Sequence, residues 1–230
     1  MSWQLYTKIV AQLPSNTIIV PFFRGESMLH PQFDTMMEKL QSFETVQLAT
    51  NGDFLDDYTQ KTILNACSFV SLSLHEYRLP NQTDWAKFLL SAKNEGVTTQ
   101  VSILENLIPP SKKQIFIDSW LKHAGRVRIY VEHSHIGYGD TTLNIQDDGQ
   151  PCSRPFTEIA CYWDGKVALC CQDWNNLMSI GNLNSESLVD VWRNQAYEEI
   201  RRKHRIGKRN EVQSCMNCHQ WIPFIGELYE

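Results

Sequence analysis

Five cysteines late in the chain have the types and spacing to do chemistry: Cys152, Cys170, Cys171, Cys215 and Cys218. Cys215-Met-Asn-Cys218 is a CxxC pair that can offer two thiolates to one metal centre. Asp164-Gly165, between EIACYW and KVALCC, is a two-residue hairpin signal. A tight turn there fixes the register, and so places Cys170 on the second hairpin strand at a set point relative to Cys152 ahead of it. The four thiols of Cys152, Cys170, Cys215 and Cys218 suit an iron–sulfur cluster or a structural zinc, and spacing alone leaves both open. Adjacent residues on a strand point to opposite faces, so Cys171 is expected to pack as a small apolar side chain rather than to bind metal. Cys161, on the partner strand, and Cys67, ahead of an earlier strand, are read as buried thiols. His219 is read as a solvated side chain rather than as support for the centre.

The elements that must position these thiols come in two kinds. From residue 17 onward, short apolar or alternating runs are followed by helical patterns. Strands are expected at 17–23, 45–50, 69–75, 97–104 and 126–133, and helices at 30–40, 54–66, 83–95 and 111–124. Such alternation implies βαβ units and a parallel sheet. A helix over 3–13 opens the chain with no strand before it. Pro21 is awkward inside a sheet unless it lies at an edge or near a strand end. After residue 134 the sequence turns polar and rich in turn formers, which marks a boundary. A hairpin at about 158–171, a loop and one long helix at about 185–204, capped by Ser185, lead to the final CMNCH.

The segment from Cys152 to Cys218 resembles the SPASM or shorter twitch domain of radical S-adenosylmethionine (SAM) proteins. Cys152, Gly165, Cys170, Gly181-Asn182, Trp192, Cys215 and Cys218 fill the places of that pattern. The resemblance implies an auxiliary [4Fe-4S] cluster held by Cys152, Cys170, Cys215 and Cys218. The first part resembles the radical SAM partial barrel. FFRGESMLHP stands where the family has a Gly-Gly-Glu-Pro stretch, with Gly25 and Glu26 matching, Arg24 replacing the first glycine and Ser27 replacing the proline. A glycine lets a backbone approach SAM, and an oxygen acceptor meets its ammonium. ATNG at 49–52 matches the family's TNG, and Ser71, Ser73 and His75 alternate on the next strand. Gly25, Glu26, Ser27, Thr50, Asn51, Ser71 and Ser73 are the expected SAM contacts, since ligands of such sheets sit at the carboxyl ends of the strands.

The implied fold is α/β: a partial (β/α) barrel over 1–140 with its first strand missing, then a small α+β cysteine-rich domain over 141–230. The family's CxxxCxxC is not present, because no cysteine precedes Cys67. The chain is therefore expected to be an N-terminally short form of a longer protein. The implied activity is modification of a peptide or small metabolite by radical hydrogen abstraction, with SAM, the cluster, and a flavodoxin or ferredoxin as electron donor. The alternative is a non-catalytic iron–sulfur or zinc protein.

Composition narrows the partners. The 230 residues are 42% hydrophobic and 20% charged, with a net charge of −5, which favours neither nucleic acid nor an anionic membrane surface. The basic run RRKHRIGKRN (201–210) is read as cations at a helix C-terminus rather than a nucleic-acid patch. No apolar run reaches the length of a membrane span, and the first residues lack a signal-peptide pattern, so a cytoplasmic protein is expected.

Overall fold

Alternation of apolar and polar residues along the first strands builds a sheet with two unlike faces. A computed structural model describes residues 1–131, 150–216, 218 and 226–230. In chain order it contains α1 (Trp3–Val10), β1 (Ile18–Ile19), α2 (Phe33–Leu40), β2 (Thr45–Thr50), α3 (Asp57–Ala66), β3 (Phe69–Leu74), α4 (Trp85–Asn94), β4 (Thr98–Leu104), α5 (Lys113–Leu121) and β5 (Arg126–Tyr130). Then follow α6 (Arg154–Thr157), β6 (Ala160–Cys161), β7 (Lys166–Ala168), β8 (Ser179–Asn182), α7 (Leu188–Trp192), α8 (Gln195–Arg205) and β9 (Gly226–Tyr229). Two compact units divide the chain: Pro14–Glu132 with Gly226–Glu230, and Met1–Leu13 with His133–Ile225.

In the sheet unit, β1 to β5 lie in sequence order and pair in parallel, and β9 adds antiparallel to β5. Registered neighbours share a face. Val46, Leu48, Val70, Leu72, Val101, Ile103, Val127 and Ile129 share one face and are buried. Met37, Leu40, Ile63, Leu89, Phe116 and Trp120 of α2 to α5 are buried in the same unit and supply the helical side of its core. The opposite face carries Gln47, Ser71, Ser73, Gln100, Ser102, Arg126 and Arg128. This polar face departs from the near-continuous apolar runs of a parallel sheet covered on both sides by core.

The strands expected from sequence are present, with differences at the ends. The run 17–23 forms only the two residues of β1, because the chain leaves the sheet before Pro21. Ile18, Val20 and Phe22 are exposed. β9 was not foreseen. Its GELY has no length or alternation to stand out, and it is held by pairing with β5 and by the Lys113–Glu227 ion pair at 2.8 Å.

The cysteine unit departs further from expectation. The opening helix α1 belongs to it rather than to the sheet unit: Leu5 packs with Val167, Leu169 and Leu183, and Lys8 Nζ donates to the carbonyls of Leu183, Asn184 and Glu186. Residues 1–13 thus group with the cysteine unit and 226–230 with the sheet unit. β6, β7 and β8 form an antiparallel sheet, and β8 occupies what was expected to be loop. The Asp164-Gly165 turn is present, with Gly165 at φ +89°. A side chain there would also strike Asn184, whose amide donates to Asp164 O at 2.6 Å. The single helix expected over 185–204 is two. Ser187, not Ser185, caps α7, and Asn194 caps α8 while its amide donates to Ile180 O at 2.7 Å.

Candidate functional site

Three sequence-distant segments deliver the four expected thiols to one cavity. Cys152 lies just ahead of α6, Cys170 two residues beyond β7, and Cys215 at the end of a short 3-10 turn whose Cys215 O accepts from Cys218 N at 3.2 Å. Cys152, Cys170, Cys215 and Cys218 line that cavity together with Arg154, Gln172, His204, Arg209 and Ser214. Three of the thiols are buried and Cys218 is half-buried, and none of the seven cysteines is in a disulfide. They stand around the cavity rather than at one point: among the described residues, no three His, Cys, Asp or Glu side chains are grouped to hold a single metal ion.

Burial pushes the Cys170 thiol up to about 12, with the neighbouring Cys171 and Cys218 adding to the rise. Cys215 is pushed further up by burial and then by Cys170, Cys218 and Cys152. The thiols oppose one another's ionisation because they share one small space. Three buried thiols and one half-buried thiol around one cavity are therefore costly as thiolates and poorly used as core, and a positively charged metal group resolves both problems. The donor set fits an iron–sulfur cluster in number and chemistry. Cys67 is pushed up to about 12 and Cys161 to about 11 by burial, as expected of packed thiols, and Cys161 packs against the apolar core of its unit.

Cys171 corrects the strand-alternation argument. β7 ends at Ala168, so both Cys170 and Cys171 lie in the turn beyond it. Cys171 is half-buried and accepts from Arg154 Nη1 at 2.9 Å, while the same guanidinium pairs with Glu158 at 3.0 Å.

The basic run 201–210 does stand at the C-terminus of α8, as expected, but not all of it is solvated. Arg202, Arg205 and Lys208 are exposed, but Arg201, His204 and Arg209 are buried. Arg201 donates to Pro155 O at 2.8 Å and to Trp192 O at 2.7 Å, and stacks on the Trp192 and Tyr197 rings. Arg209 Nη1 donates to Cys218 O at 3.3 Å. His204 is fully buried between two of the thiol segments. Its Nδ1 accepts from Cys152 N at 3.2 Å, and its Nε2 lies 3.6 Å from Cys215 Sγ. Sequence reasoning missed His204 and Arg209. The available signal was spacing: Tyr197, Ile200, Arg201 and His204 fall on one face of α8. A buried guanidinium such as that of Arg209 beside a thiolate set offsets its negative charge. His219 lies outside the described residues.

In the sheet unit, the expected SAM contacts separate into two groups. Glu26 Oε2 accepts from Asn51 N at 2.8 Å and Oε1 from Met28 N at 3.0 Å, so the carboxylate ties the loop after β1 to the loop after β2. Gly25 sits beside it at φ +78° with open space where a side chain would be. Ser27 Oγ donates to Pro21 O at 2.7 Å. Asn51 closes a local turn on Asp53. Thr50 shares the helix-side face with Leu72, and its Oγ1 accepts from Gly52 N at 3.1 Å. The structure therefore places Thr50 away from Ser71 and Ser73.

Ser71 and Ser73 lie on the polar face and are joined there by two residues that sequence reasoning missed. Gln100 Nε2 donates to Ser71 Oγ at 3.1 Å, and Ser102 Oγ lies 3.4 Å from Ser71 Oγ and 3.1 Å from Ser73 Oγ. Gln100 Oε1 is buried with no hydrogen-bond partner among the described residues, so an acceptor is held ready on this face. The alternation in TTQVSIL carried the signal. His75 is exposed beyond the end of β3.

Residues 152–219 match the model of the SPASM family, an iron-sulfur cluster-binding domain. A curated relative, the S-adenosyl-L-methionine-dependent 2-deoxy-scyllo-inosamine dehydrogenase of Niallia circulans, is 25% identical over 108 residues. That match covers 44% of this chain and 43% of the relative, so less than half of the relative's length is represented. Among solved structures, BtrN in complex with AdoMet and 2-DOIA superposes with a TM-score of 0.68 at 19% identity, covering 96% of this chain and 80% of that one. Streptococcus suis SuiB bound to S-adenosylmethionine superposes with a TM-score of 0.62 at 11% identity, covering 86% of this chain and 60% of that one. At such identities these likenesses speak for the fold. Among the described residues, no helix is long and apolar enough to cross a membrane.

Proposed function

We propose that this chain is a radical SAM/SPASM-type iron–sulfur protein in which Cys152, Cys170, Cys215 and Cys218 hold an auxiliary [4Fe-4S] cluster, and that it serves to modify a peptide or small metabolite by radical hydrogen abstraction. The observation that carries the reading is the convergence of four thiols from three distant segments on one cavity. When bound, the cluster supplies a site for one-electron transfer or for substrate ligation. The chain's own residues do the rest. Arg154 and Arg209 line the cavity with the thiols and offset their charge, and His204 lines it as a neutral ring. Cys161 and Cys67 stay protonated and packed.

On the sheet unit, Ser71, Ser73, Gln100 and Ser102 offer donors and acceptors to a polar ligand, in keeping with SAM. Glu26 supports that role by holding two loops in register rather than by presenting a free carboxylate. SAM cleavage also calls for the CxxxCxxC thiolates, which are not among the seven cysteines here. The substrate class we infer is a peptide or a small polar metabolite. The Niallia circulans relative is named for a 2-deoxy-scyllo-inosamine, and SuiB has been solved with its precursor peptide SuiA. A small flavoprotein or ferredoxin would supply electrons, and the cytoplasm would suit that supply.

Anaerobic reconstitution of the chain with iron and sulfide tests this reading. About four irons and four sulfides per chain are expected from a single cubane cluster. One zinc per chain, bound in preference to iron, would overturn it.

A further inference from the structure

His204 is a buried side chain that touches two of the thiol segments at once. Its contacts fix which ring nitrogen carries hydrogen. A backbone N–H can only donate, so the 3.2 Å contact from Cys152 N makes His204 Nδ1 an acceptor. The neutral ring then carries its hydrogen on Nε2, which lies 3.6 Å from Cys215 Sγ. That separation is within reach of an N–H···S hydrogen bond. The ring cannot turn to another arrangement cheaply. It is fully buried, and the Phe156 ring meets it edge-on with centroids 6.3 Å apart.

We infer that His204 is a positioning residue of the metal centre, which orders the Cys152 backbone through Nδ1 and donates Nε2–H to the Cys215 sulfur, raising the reduction potential of the bound cluster. This rests on the reading that the four cysteines hold a cluster. The physical reason is general. A hydrogen bond to a ligand sulfur withdraws electron density from the metal–sulfur unit and favours the reduced form, which carries the extra negative charge. The two halves of the role belong to different atoms, so they can be separated by substitution.

The test uses the full chain, reconstituted anaerobically with iron and sulfide, in two conservative variants. His204→Gln has an amide that reaches the Nε2 position and can still donate to Cys215. His204→Asn keeps an acceptor near the Nδ1 position for Cys152 but cannot reach the sulfur. EPR-monitored redox titration and iron analysis are read on both. The inference expects both to keep the wild-type iron content. It expects His204→Asn to shift the potential downward, with altered g-values, and His204→Gln to stay near wild type. Equal shifts in both variants, no shift in His204→Asn, or iron loss in both would overturn it, since each makes His204 a packing residue. If wild-type chain takes up no iron, the metal-centre reading itself fails, and that outcome is distinguishable from all the others.

Discussion

The two units of this molecule keep their functional groups in different relations to their cores. In the sheet unit the two are on opposite faces. Val46, Leu48, Val70, Leu72 and Val101 form the core side, and Ser71, Ser73, Gln100 and Ser102 the polar side. Either set can change without disturbing the other. In the cysteine unit the functional groups are buried inside. Cys152, Cys170, Cys215, His204 and Arg209 occupy positions that apolar side chains would fill in an ordinary small domain. Its sheet is three short strands among the described residues, and its apolar cluster, built around Leu169, Val191, Tyr197 and Ile200, is small. The contrast predicts that the cysteine unit depends on what its thiols bind and that the sheet unit does not.

The largest expected effect follows directly. Removing the metal group by chelation, or preventing its assembly with Cys170→Ser, should strip hydrogen-exchange protection from β6 to α8 and leave β2 to β5 protected, because metal-binding free energy is folding free energy in such units. Equal loss across both units would erase the contrast. Next is the core of the sheet unit. Trp120 is fully buried and donates to Arg78 O at 2.9 Å. Trp120→Ala should cost about 3–5 kcal/mol of the sheet unit's stability in denaturant melts while leaving iron content unchanged.

A smaller effect is expected on the polar face. Gln100→Ala removes a hydrogen bond to Ser71 and the unpartnered acceptor, which should weaken SAM binding by calorimetry about tenfold, roughly 1.4 kcal/mol, with little change in melting temperature. A large loss of stability instead would mean that the polar face is structural. The smallest effect concerns β9. Lys113 holds the Glu227 carboxyl below its usual value through a hydrogen bond, helped by the Tyr229 hydroxyl. A lowered carboxyl contributes stability that is present above the unfolded pKa, about 4.3, and is lost as pH falls through the lower folded value. The pair is well exposed, so about 0.5 kcal/mol or less is expected, seen as loosening of β9 exchange below about pH 4 and absent in Glu227→Gln.

The sequence was legible where a pattern was local. Alternating runs such as TVQLAT and FVSLSL located β2 and β3, Asp164-Gly165 located the hairpin, and the cysteine spacing picked out the four thiols that line one cavity. It was less legible where partners are distant. GELY became β9 only through pairing with β5. Helix α1, amphipathic in either setting, gave no sign that its apolar side would meet Leu169 and Leu183. Asn194 looked like an ordinary helix residue, yet it caps α8 because Ile180 O draws its amide. His204 and Arg209 were hidden in a basic run whose other members are solvated. Their burial comes from the thiol cavity that forms around them, a property of the fold rather than of the run.

The most direct test of the account is iron content and EPR of the reconstituted chain, compared across single cysteine-to-serine variants. Loss of the cluster signal is expected for Cys152→Ser, Cys170→Ser, Cys215→Ser and Cys218→Ser, with wild-type iron in Cys161→Ser and Cys171→Ser. A Cys171→Ser variant that loses the cluster while Cys170→Ser retains it would contradict the assignment of the four ligands.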